Sequence, residues 1–366
     1  MSTYPPVAGP DITSDATLVA LLAQLQTRFR GSICCTLVYG SCLRSGDIYD
    51  GLLDLYLICD SYRAAYGFSL PAAANWLLPP NVFYAEQNSA TGGKTLRSKV
   101  TVISLRDFQR GCSSARFESY IWGRFAQPTR ILFARDDQLR TQIQAALTDA
   151  ARTLLRRAVP ALPPEGTLAS LWEQALILSY ATELRTERSG RAQELVQSSL
   201  DFYTALTGHL AGQLGFTLEL VQRDGEWHYR SAMVNRKRHT ASVAWVLRRG
   251  QGKLLSILRL VKALFTFAGG LDYIAWKLER HSGVKIEIPD KVRRAPLIHL
   301  WGFFWGLYRR GPNTAAKSCP RATARGYARQ PVGTGAHPEL RHRIAHGAQR
   351  PGAGAGAILP GLLYRP

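Results

Sequence analysis

Residues 33–41 read ICCTLVYGS, an apolar run that closes on a glycine and a serine. The run is rich in β-branched and aromatic side chains and has the length of a strand, so it predicts a buried strand from Ile33 to Tyr39. The pair Gly40-Ser41 ends that strand. Because glycine has no Cβ, backbone amides at this point can approach a phosphate closely, with the serine hydroxyl beside them. The stretch therefore predicts a strand followed by a phosphate-binding turn.

A second apolar run, Leu52 to Cys59, predicts a neighbouring strand that carries Asp54, 13 residues after Ser41. A carboxylate at that place could hold Mg²⁺ against the same phosphates. This layout is that of the polymerase-β-like nucleotidyltransferase fold, in which a second acid usually stands two residues further on, where this chain has Tyr56. On these residues alone, a plain β-turn beside a solvated aspartate accounts for the pattern equally well. If another acid completes the metal site, the nearest candidates in sequence are Asp47, Asp50 and Asp60.

Strand and helix patterns alternate over residues 1–160, which indicates an α/β domain. Strands are also predicted at Lys99–Leu105 and Thr129–Ala134, and helices after the N-cap Ser14-Asp15 and at 115–125 and 136–158. Prolines at 160, 163 and 164 break this pattern, and residues 161–250 predict a helical domain with a small hairpin across Asp224-Gly225. A second break is expected at 249–252, before a basic helix from Lys253 to Phe267.

The chain has 366 residues and a formal net charge of +20, which calls for an anionic partner such as nucleic acid, a membrane surface or a phosphorylated molecule. Residues 311–366 hold nine glycines, seven prolines and a net charge of +7, so they predict a disordered tail. Residues 248–310 carry a further net charge of +9. The charge is therefore concentrated in the C-terminal third, and the region before it is nearly balanced.

Composition also excludes several classes of protein. A hydrophobic content of 46% and a charged content of 20% are globular values, unlike those of collagens, coiled coils or disulfide scaffolds. We expect no transmembrane helix, and no secretory or transit leader in residues 1–17, which lack Lys and Arg. The six cysteines show no C-x-x-C spacing, so we expect a reducing compartment, no zinc site, and core positions for Cys34 and Cys35.

Six short segments follow one another in an order that resembles a known family. They are Val38–Ser41, Leu53–Leu55, Lys99–Ser104, Ile121–Phe125, Leu178–Arg185 and Leu258–Lys277. Together they resemble the mitochondrial-type phosphatidate cytidylyltransferases, also called the mitochondrial translocator maintenance family, which has bacterial members. The resemblance spans roughly residues 15–285.

This resemblance implies an enzyme that makes CDP-diacylglycerol and pyrophosphate from CTP and phosphatidic acid with Mg²⁺. It implies a nucleotidyltransferase domain over 1–160, a mainly helical, winged-helix-like domain over 161–250, and a basic amphipathic segment over 251–310 that helps the protein reach the membrane. The expected location is peripheral, on the cytoplasmic face of a bacterial inner membrane or, in a eukaryote, on the inner face of the mitochondrial inner membrane.

Site residues follow from the same resemblance. The family's Tyr-Gly-Ser and strand Asp fall on Tyr39, Gly40, Ser41 and Asp54, and its strand Lys falls on Lys99. Its Gly-Asp-Phe-Arg motif falls on residues 182–185. The resemblance thus implies that Asp54 and Glu183 hold Mg²⁺, that they and Lys99 are catalytic, and that Arg185 joins the Tyr-Gly-Ser residues in binding the nucleotide. The chain departs from the family at Cys42, Val100-Thr101 and Ala126-Gln127.

Residues 297–308 read LIHLWGFFWGLY and precede Arg309-Arg310. Twelve residues are too few to span a bilayer, but aromatic rings beside basic side chains suit the headgroup boundary. An ordinary core helix is the alternative interpretation. The residues expected to contact an anionic membrane surface are Lys262, Tyr273, Lys277, Trp301, Phe304 and Trp305.

Two other functions compete with the cytidylyltransferase. One is a nucleotidyltransferase that acts on RNA or another polyanion, although the sequence shows no RNA-binding signature and its aromatic residues are not spaced for base stacking. The other is a non-catalytic adaptor at a lipid surface, built on the same fold. Cys42 and Ala126-Gln127 are the residues that favour the adaptor.

Overall fold

A computed structural model describes residues 4–89, 92–184, 190–232 and 235–266, and within them it shows a mixed α/β fold. The strands are β1 (Ile33–Tyr39), β2 (Leu53–Cys59), β3 (Asn81–Asn88), β4 (Thr95–Ser104), β5 (Thr129–Ala134), β6 (Glu165–Thr167), β7 (Leu218–Arg223) and β8 (Glu226–Ser231). The helices are α1 (Ala16–Arg28), α2 (Ser41–Ser45), α3 (Tyr62–Tyr66), α4 (Leu70–Leu77), α5 (Leu105–Cys112), α6 (Trp122–Phe125), α7 (Asp137–Ala158), α8 (Leu168–Tyr180), α9 (Arg191–Gln197), α10 (Leu200–Leu210) and α11 (Asn235–Thr266).

The larger sheet has five strands in the order β3-β4-β2-β1-β5. Its one parallel pair is β2 with β4, and the other neighbouring strands run antiparallel. A smaller antiparallel sheet has the order β6-β8-β7. The hairpin predicted across Asp224-Gly225 is the pair β7 and β8.

The period of two along β2 sends its side chains into two separate cores. Leu53, Leu55 and Leu57 pack on the side of helix α1, in the smaller core. Tyr56 and Ile58 pack on the opposite side, in the larger core with α6, α7 and α8. Asp54 has the same parity as Tyr56, so it lies at the end of the strand on the side of the larger core. Buried apolar residues thus fix the direction in which the acid points.

Most of the predicted strands are confirmed. Strands β1 and β5 have the predicted bounds, β2 begins one residue later, and β4 begins at Thr95, four residues before the predicted start. Asp15 caps α1 through hydrogen bonds from the amides of Thr17 and Leu18. Cys34 and Cys35 are fully buried and form no disulfide, as expected of core residues. The edge strand β3 and the short strand β6 were not predicted.

The helix predicted over 115–125 is wrong in its extent. Only Trp122–Phe125 are helical, because tertiary hydrogen bonds hold the preceding loop in another conformation. Arg157 donates to the carbonyls of Ser114 and Arg116, and the Trp122 indole also donates to Arg116. The helix predicted over 136–158 is confirmed as α7.

The break predicted at 249–252 is also wrong, because helix α11 continues through both glycines from Asn235 to Thr266. A Cβ on Gly252 would lie 2.6 Å from the backbone oxygen of Thr182, so glycine allows α11 to approach that backbone. Further along, Arg259 donates to the Glu118 carboxylate at 2.9 Å and Lys262 donates to the carbonyl of Pro80 at 2.6 Å. Helix α11 is therefore tied to the loops around the larger sheet.

The described residues belong to one compact unit, and its larger core takes side chains from both sides of residue 160. The domain boundaries at 160 and 250 stay predictions. Residues 267–310 of the basic segment and the tail 311–366 lie outside the described residues. No helix in the described part of the chain is both long and apolar enough to cross a bilayer.

Replacing Gly252 by alanine tests the close approach of α11. Since the new Cβ would meet the Thr182 backbone, we expect Gly252→Ala to lower the free energy of unfolding by about 2 kcal/mol, measured by urea denaturation. Gly250, two residues earlier, has open space around it. Gly250→Ala should raise stability by up to about 1 kcal/mol, because alanine is the better helix former. Equal effects of the two changes would contradict the close approach.

Candidate active site

The turn after β1 brings backbone close to a carboxylate. Gly40 has φ +98°, a conformation that residues with a side chain rarely adopt, and a Cβ there would lie 3.2 Å from Oδ2 of Asp54. Ser41 begins the short helix α2 with an exposed side chain. Glycine is therefore required at this position both by the turn and by the neighbouring acid.

Strand register places Asp54 between two other predicted site residues. Tyr39 pairs with Asp54 across β1 and β2, and Asp54 pairs with Lys99 across β2 and β4. The Lys99 ammonium lies 3.7 Å from Oδ1 of Asp54, and both side chains are partly exposed. Burial lowers the pKa of Lys99, but the negative charge of Asp54 together with the nearby Tyr39 and Tyr120 outweighs that effect, so the pKa is raised and the ammonium stays charged.

Arg124 also lies in this site, next to Tyr39, although the sequence did not predict a role for it. It lies in α6, where its Nη1 donates to the Tyr39 hydroxyl at 3.1 Å and its Nη2 lies 2.7 Å from Oε1 of Glu183. Burial lowers the pKa of Arg124, but the nearby Glu183 carboxylate together with the surrounding Tyr39, Tyr56 and Tyr120 outweighs that effect and raises it. The residue does occur in the segment Ile121–Phe125, which carried part of the resemblance, and that was the only signal for it.

Glu183 follows the end of α8, where a hydrogen bond fixes the backbone next to it. The hydroxyls of Ser119 and Thr182 lie 2.7 Å apart and are buried. Glu183 is thus brought to the same region as Tyr39 through Arg124. Arg185, the other predicted residue of this motif, lies outside the described residues.

Tyr56 explains why no second acid follows Asp54. Its ring is buried in the larger core, 4.8 Å from the Phe125 ring and 5.9 Å from the Tyr39 ring, measured between centroids. A carboxylate at this place would be desolvated among aromatic rings, which is costly without a partner. The position supports the site by packing under Tyr39.

Two of the positions at which the chain departs from the pattern that it resembles, Cys42 and Ala126-Gln127, have structural roles. Cys42 is buried, its thiol donates to the carbonyl of Leu52 at 3.5 Å, and burial raises its pKa to about 11. Gln127 donates to the carbonyl of Arg124 at 2.7 Å, next to the buried Ala126. Cys42 therefore packs beneath the turn, and Gln127 helps to hold the end of α6.

The donor set fits Mg²⁺ only in part. Among the described residues, no group of three or more His, Cys, Asp or Glu side chains could hold a metal ion. Mg²⁺ in nucleotide sites is usually bound through one or two carboxylates together with substrate phosphates and water. Asp54 suits that arrangement, since it is partly exposed beside the Gly40 turn. The carboxylate of Glu183 is engaged by Arg124, so its metal role stays a prediction.

One of the predicted lipid-contacting residues lies within the described range. The Lys262 ammonium donates to the carbonyl of Pro80 at 2.6 Å and also to that of Leu78. Burial and, to a smaller extent, the neighbouring Arg259 together lower its pKa to about 7. Lys262 thus attaches α11 to the end of α4, and its contact with lipid stays a prediction. The others lie outside the described residues: Tyr273, Lys277, Trp301, Phe304 and Trp305.

No model of a protein family matches the chain, and neither does any curated protein. The class of protein must therefore be inferred from the site itself.

Proposed function

We propose that the chain is a nucleotidyltransferase that transfers CMP from CTP to phosphatidic acid, giving CDP-diacylglycerol and pyrophosphate. The observation that carries the proposal is the pairing of Asp54 with Lys99 directly beside the Gly40 turn. A carboxylate and a charged ammonium beside a glycine turn with an exposed serine are what a triphosphate and its cation require. The motif order described above supports cytidine nucleotide and phosphatidic acid as the substrates.

The architecture supports the finer fold assignment within this proposal. In the polymerase-β-like interpretation, β1, the Gly40 turn and β2 form the nucleotide-binding part of the mixed sheet. Helices α8 to α10 followed by the hairpin β7 and β8, with β6 on the hairpin's edge, have the connectivity expected of a winged-helix-like domain. The basic segment would begin within α11.

Transfer requires one bond to form as another breaks. A phosphate oxygen of phosphatidic acid attacks the α-phosphorus of CTP, and the bond from that phosphorus to the bridging oxygen breaks, so that pyrophosphate leaves. Because the nucleophile is already anionic, catalysis depends on positioning and charge neutralisation more than on a strong base. When bound, Mg²⁺ supplies charge neutralisation at the phosphoryl oxygens.

The protein's own groups would share this work. The Gly40 turn and Ser41 cradle phosphate oxygens, Asp54 holds the cation, and Lys99 neutralises phosphate charge. Arg124 holds Tyr39 and Glu183 in place around the turn. A cavity of about 370 Å³ opens on another side of Gly40, lined by Leu43 and Arg44 among others and not by Asp54 or Lys99, so it is separate from the paired carboxylate and ammonium.

Release of pyrophosphate tests the function directly. The purified full chain should release pyrophosphate from CTP and Mg²⁺ when phosphatidic acid is present. Diacylglycerol, which lacks the attacking phosphate, should give none. Absence of turnover with phosphatidic acid would contradict the proposal, and transfer of CMP to RNA instead would favour the RNA-directed alternative.

The non-catalytic adaptor remains the second candidate because of one observation. Both carboxylates of the site already face a cation, Asp54 with Lys99 and Glu183 with Arg124. Such pairs can be purely structural. Binding to phosphatidic acid vesicles without any turnover would favour the adaptor.

The proposed location is the surface of an anionic membrane, on the cytoplasmic side in a bacterium. Helix α11 supports this choice, since residues 235–266 hold eight Lys and Arg and no acid. The same helix leaves large apolar side chains exposed, among them Leu254, Leu258 and Val261. Apolar and basic side chains on one helix suit the headgroup region of a bilayer.

A further inference from the structure

A cluster of large apolar side chains lies exposed around helix α4, far in sequence from the basic segment. Its members, which we call the α4 knob, are Phe68, Leu70, Trp76 and Leu77. Their exposed fractions are 87%, 65%, 75% and 77%. Four such side chains within ten residues are unusual for a surface that meets only water.

Helix α4 is anchored by a polar side chain that points toward the sheet. Asn75 is fully buried, and its side-chain amide donates to the carbonyl of Val102 in β4 at 3.0 Å. Asn81 donates to the carbonyl of Pro71 at 3.0 Å, which fixes the start of the helix. Because these hydrogen bonds anchor α4 through Asn75, the neighbouring Trp76 and Leu77 are directed outward. The exposure is therefore built into the fold.

The surroundings of the knob carry positive charge. Residues 61–85 contain no acid. The Arg63 guanidinium lies 4.0 Å from the centre of the Phe68 ring, and a Cβ on Gly67 would lie 2.8 Å from Nη1 of Arg30. Next to the knob, Lys262 joins the end of α4 to the acid-free helix α11. The charges of Arg30 and Arg63 are complementary to an anionic surface.

We infer that the α4 knob inserts into the headgroup boundary of a bilayer that contains anionic phospholipid, as a membrane contact additional to the C-terminal basic segment. The choice of lipid over a protein partner rests on the proposed function, in which the acceptor is itself an anionic lipid. Trp and Phe favour the interface, and Arg beside them attracts anionic headgroups. The hydrogen bonds of Lys262 attach α11 to the end of α4, so the two elements approach the membrane as one surface.

Co-sedimentation of the full chain with vesicles tests this inference. With phosphatidylcholine vesicles that contain phosphatidic acid, we expect Trp76→Ser with Leu77→Ser to weaken binding about tenfold, since two apolar contacts are lost. The matched control is Val19→Ser with Ile177→Ser, two exposed apolar side chains on α1 and α8. The control should bind like the unchanged chain, and Trp76→Phe should retain binding. Thermal unfolding checks that each variant is folded.

Several outcomes would overturn the inference. If the knob variant and the control reduce vesicle binding equally, or if neither reduces it, the knob does not contact lipid. A knob variant that changes only the oligomeric state, measured by light scattering, would assign the surface to a second copy of the chain. Turnover of CTP with a soluble, short-chain phosphatidic acid is measured separately. If the unchanged chain does not turn over CTP with this soluble substrate, the proposed function is refuted. Vesicle binding would still show whether the knob contacts lipid.

Discussion

We expect Asp54→Asn to lower the rate of pyrophosphate release from CTP by about 10²–10³-fold, the range found when one group that stabilises transition-state charge is removed. The substitution keeps the size of the side chain but removes the charge that faces Lys99 at 3.7 Å. It would also remove the proposed ligand for Mg²⁺, so raising the Mg²⁺ concentration should restore little of the rate. The pKa of Lys99 should then fall, because burial lowers it and the group that opposes burial most strongly is gone.

The matched control for this prediction is Asp60→Asn. Asp60 stands just after the end of the same strand and pairs with Arg135 at 3.0 Å, where both side chains are well exposed. The control removes the same charge away from the turn, so it should leave the rate unchanged. A rate for Asp54→Asn equal to that of the control, with both proteins folded by circular dichroism, would exclude Asp54 from the reaction.

Strand β1 shows why some strands could be predicted from the sequence, and the edge strand β3 shows why others could not. All seven residues of β1 are buried, so its apolar run alone determines its bounds. Strand β3 reads NVFYAEQN and alternates buried with more exposed positions at the edge of the sheet. Its strand conformation depends on pairing with β4, from Asn81 with Val102 to Asn88 with Thr95. That pairing is tertiary information, which a short polar run does not carry.

Glycine in α11 was misinterpreted for a related reason. Two glycines within four residues ordinarily indicate a helix break. Here Gly252 is needed because α11 touches the backbone of Thr182, 70 residues away in sequence. Helix propensity shows that glycine weakens a helix. The contact that requires glycine at this position is visible only in the folded chain.

The candidate site, too, could be predicted from the sequence only in part. Gly40, Asp54 and Lys99 were predicted from motifs and lie together in the structure, since adjacent strands place them in register. Arg124 was not predicted to act, because its partners Tyr39 and Glu183 are 85 and 59 residues away. Spacing along the chain says nothing about such a contact. The buried position of Arg124 between a predicted phosphate-binding turn and a predicted acid is what makes it part of the site.

We therefore expect Glu183→Gln to lower the free energy of unfolding by about 3 kcal/mol, because it leaves the guanidinium of Arg124 without its counter-charge. The Arg124 side chain is only 15% exposed, so water cannot fully replace the carboxylate. Arg124→Met costs less, since Glu183 is 29% exposed and can be solvated again. The double variant should lose less stability than the sum of the two, with a coupling energy of about 1–3 kcal/mol in a double-mutant cycle followed by urea unfolding.

The exposed pair Asp60 and Arg135 provides the reference cycle, with side chains 42% and 56% exposed. Asp60→Asn, Arg135→Met and their combination should give a coupling energy below about 1 kcal/mol, because water screens an exposed ion pair. A coupling at Arg124 and Glu183 no larger than this reference would mean that the pair contributes little to the fold. In that case Arg124 would not hold Tyr39 and Glu183 around the turn, and Glu183 would be available to bind a cation.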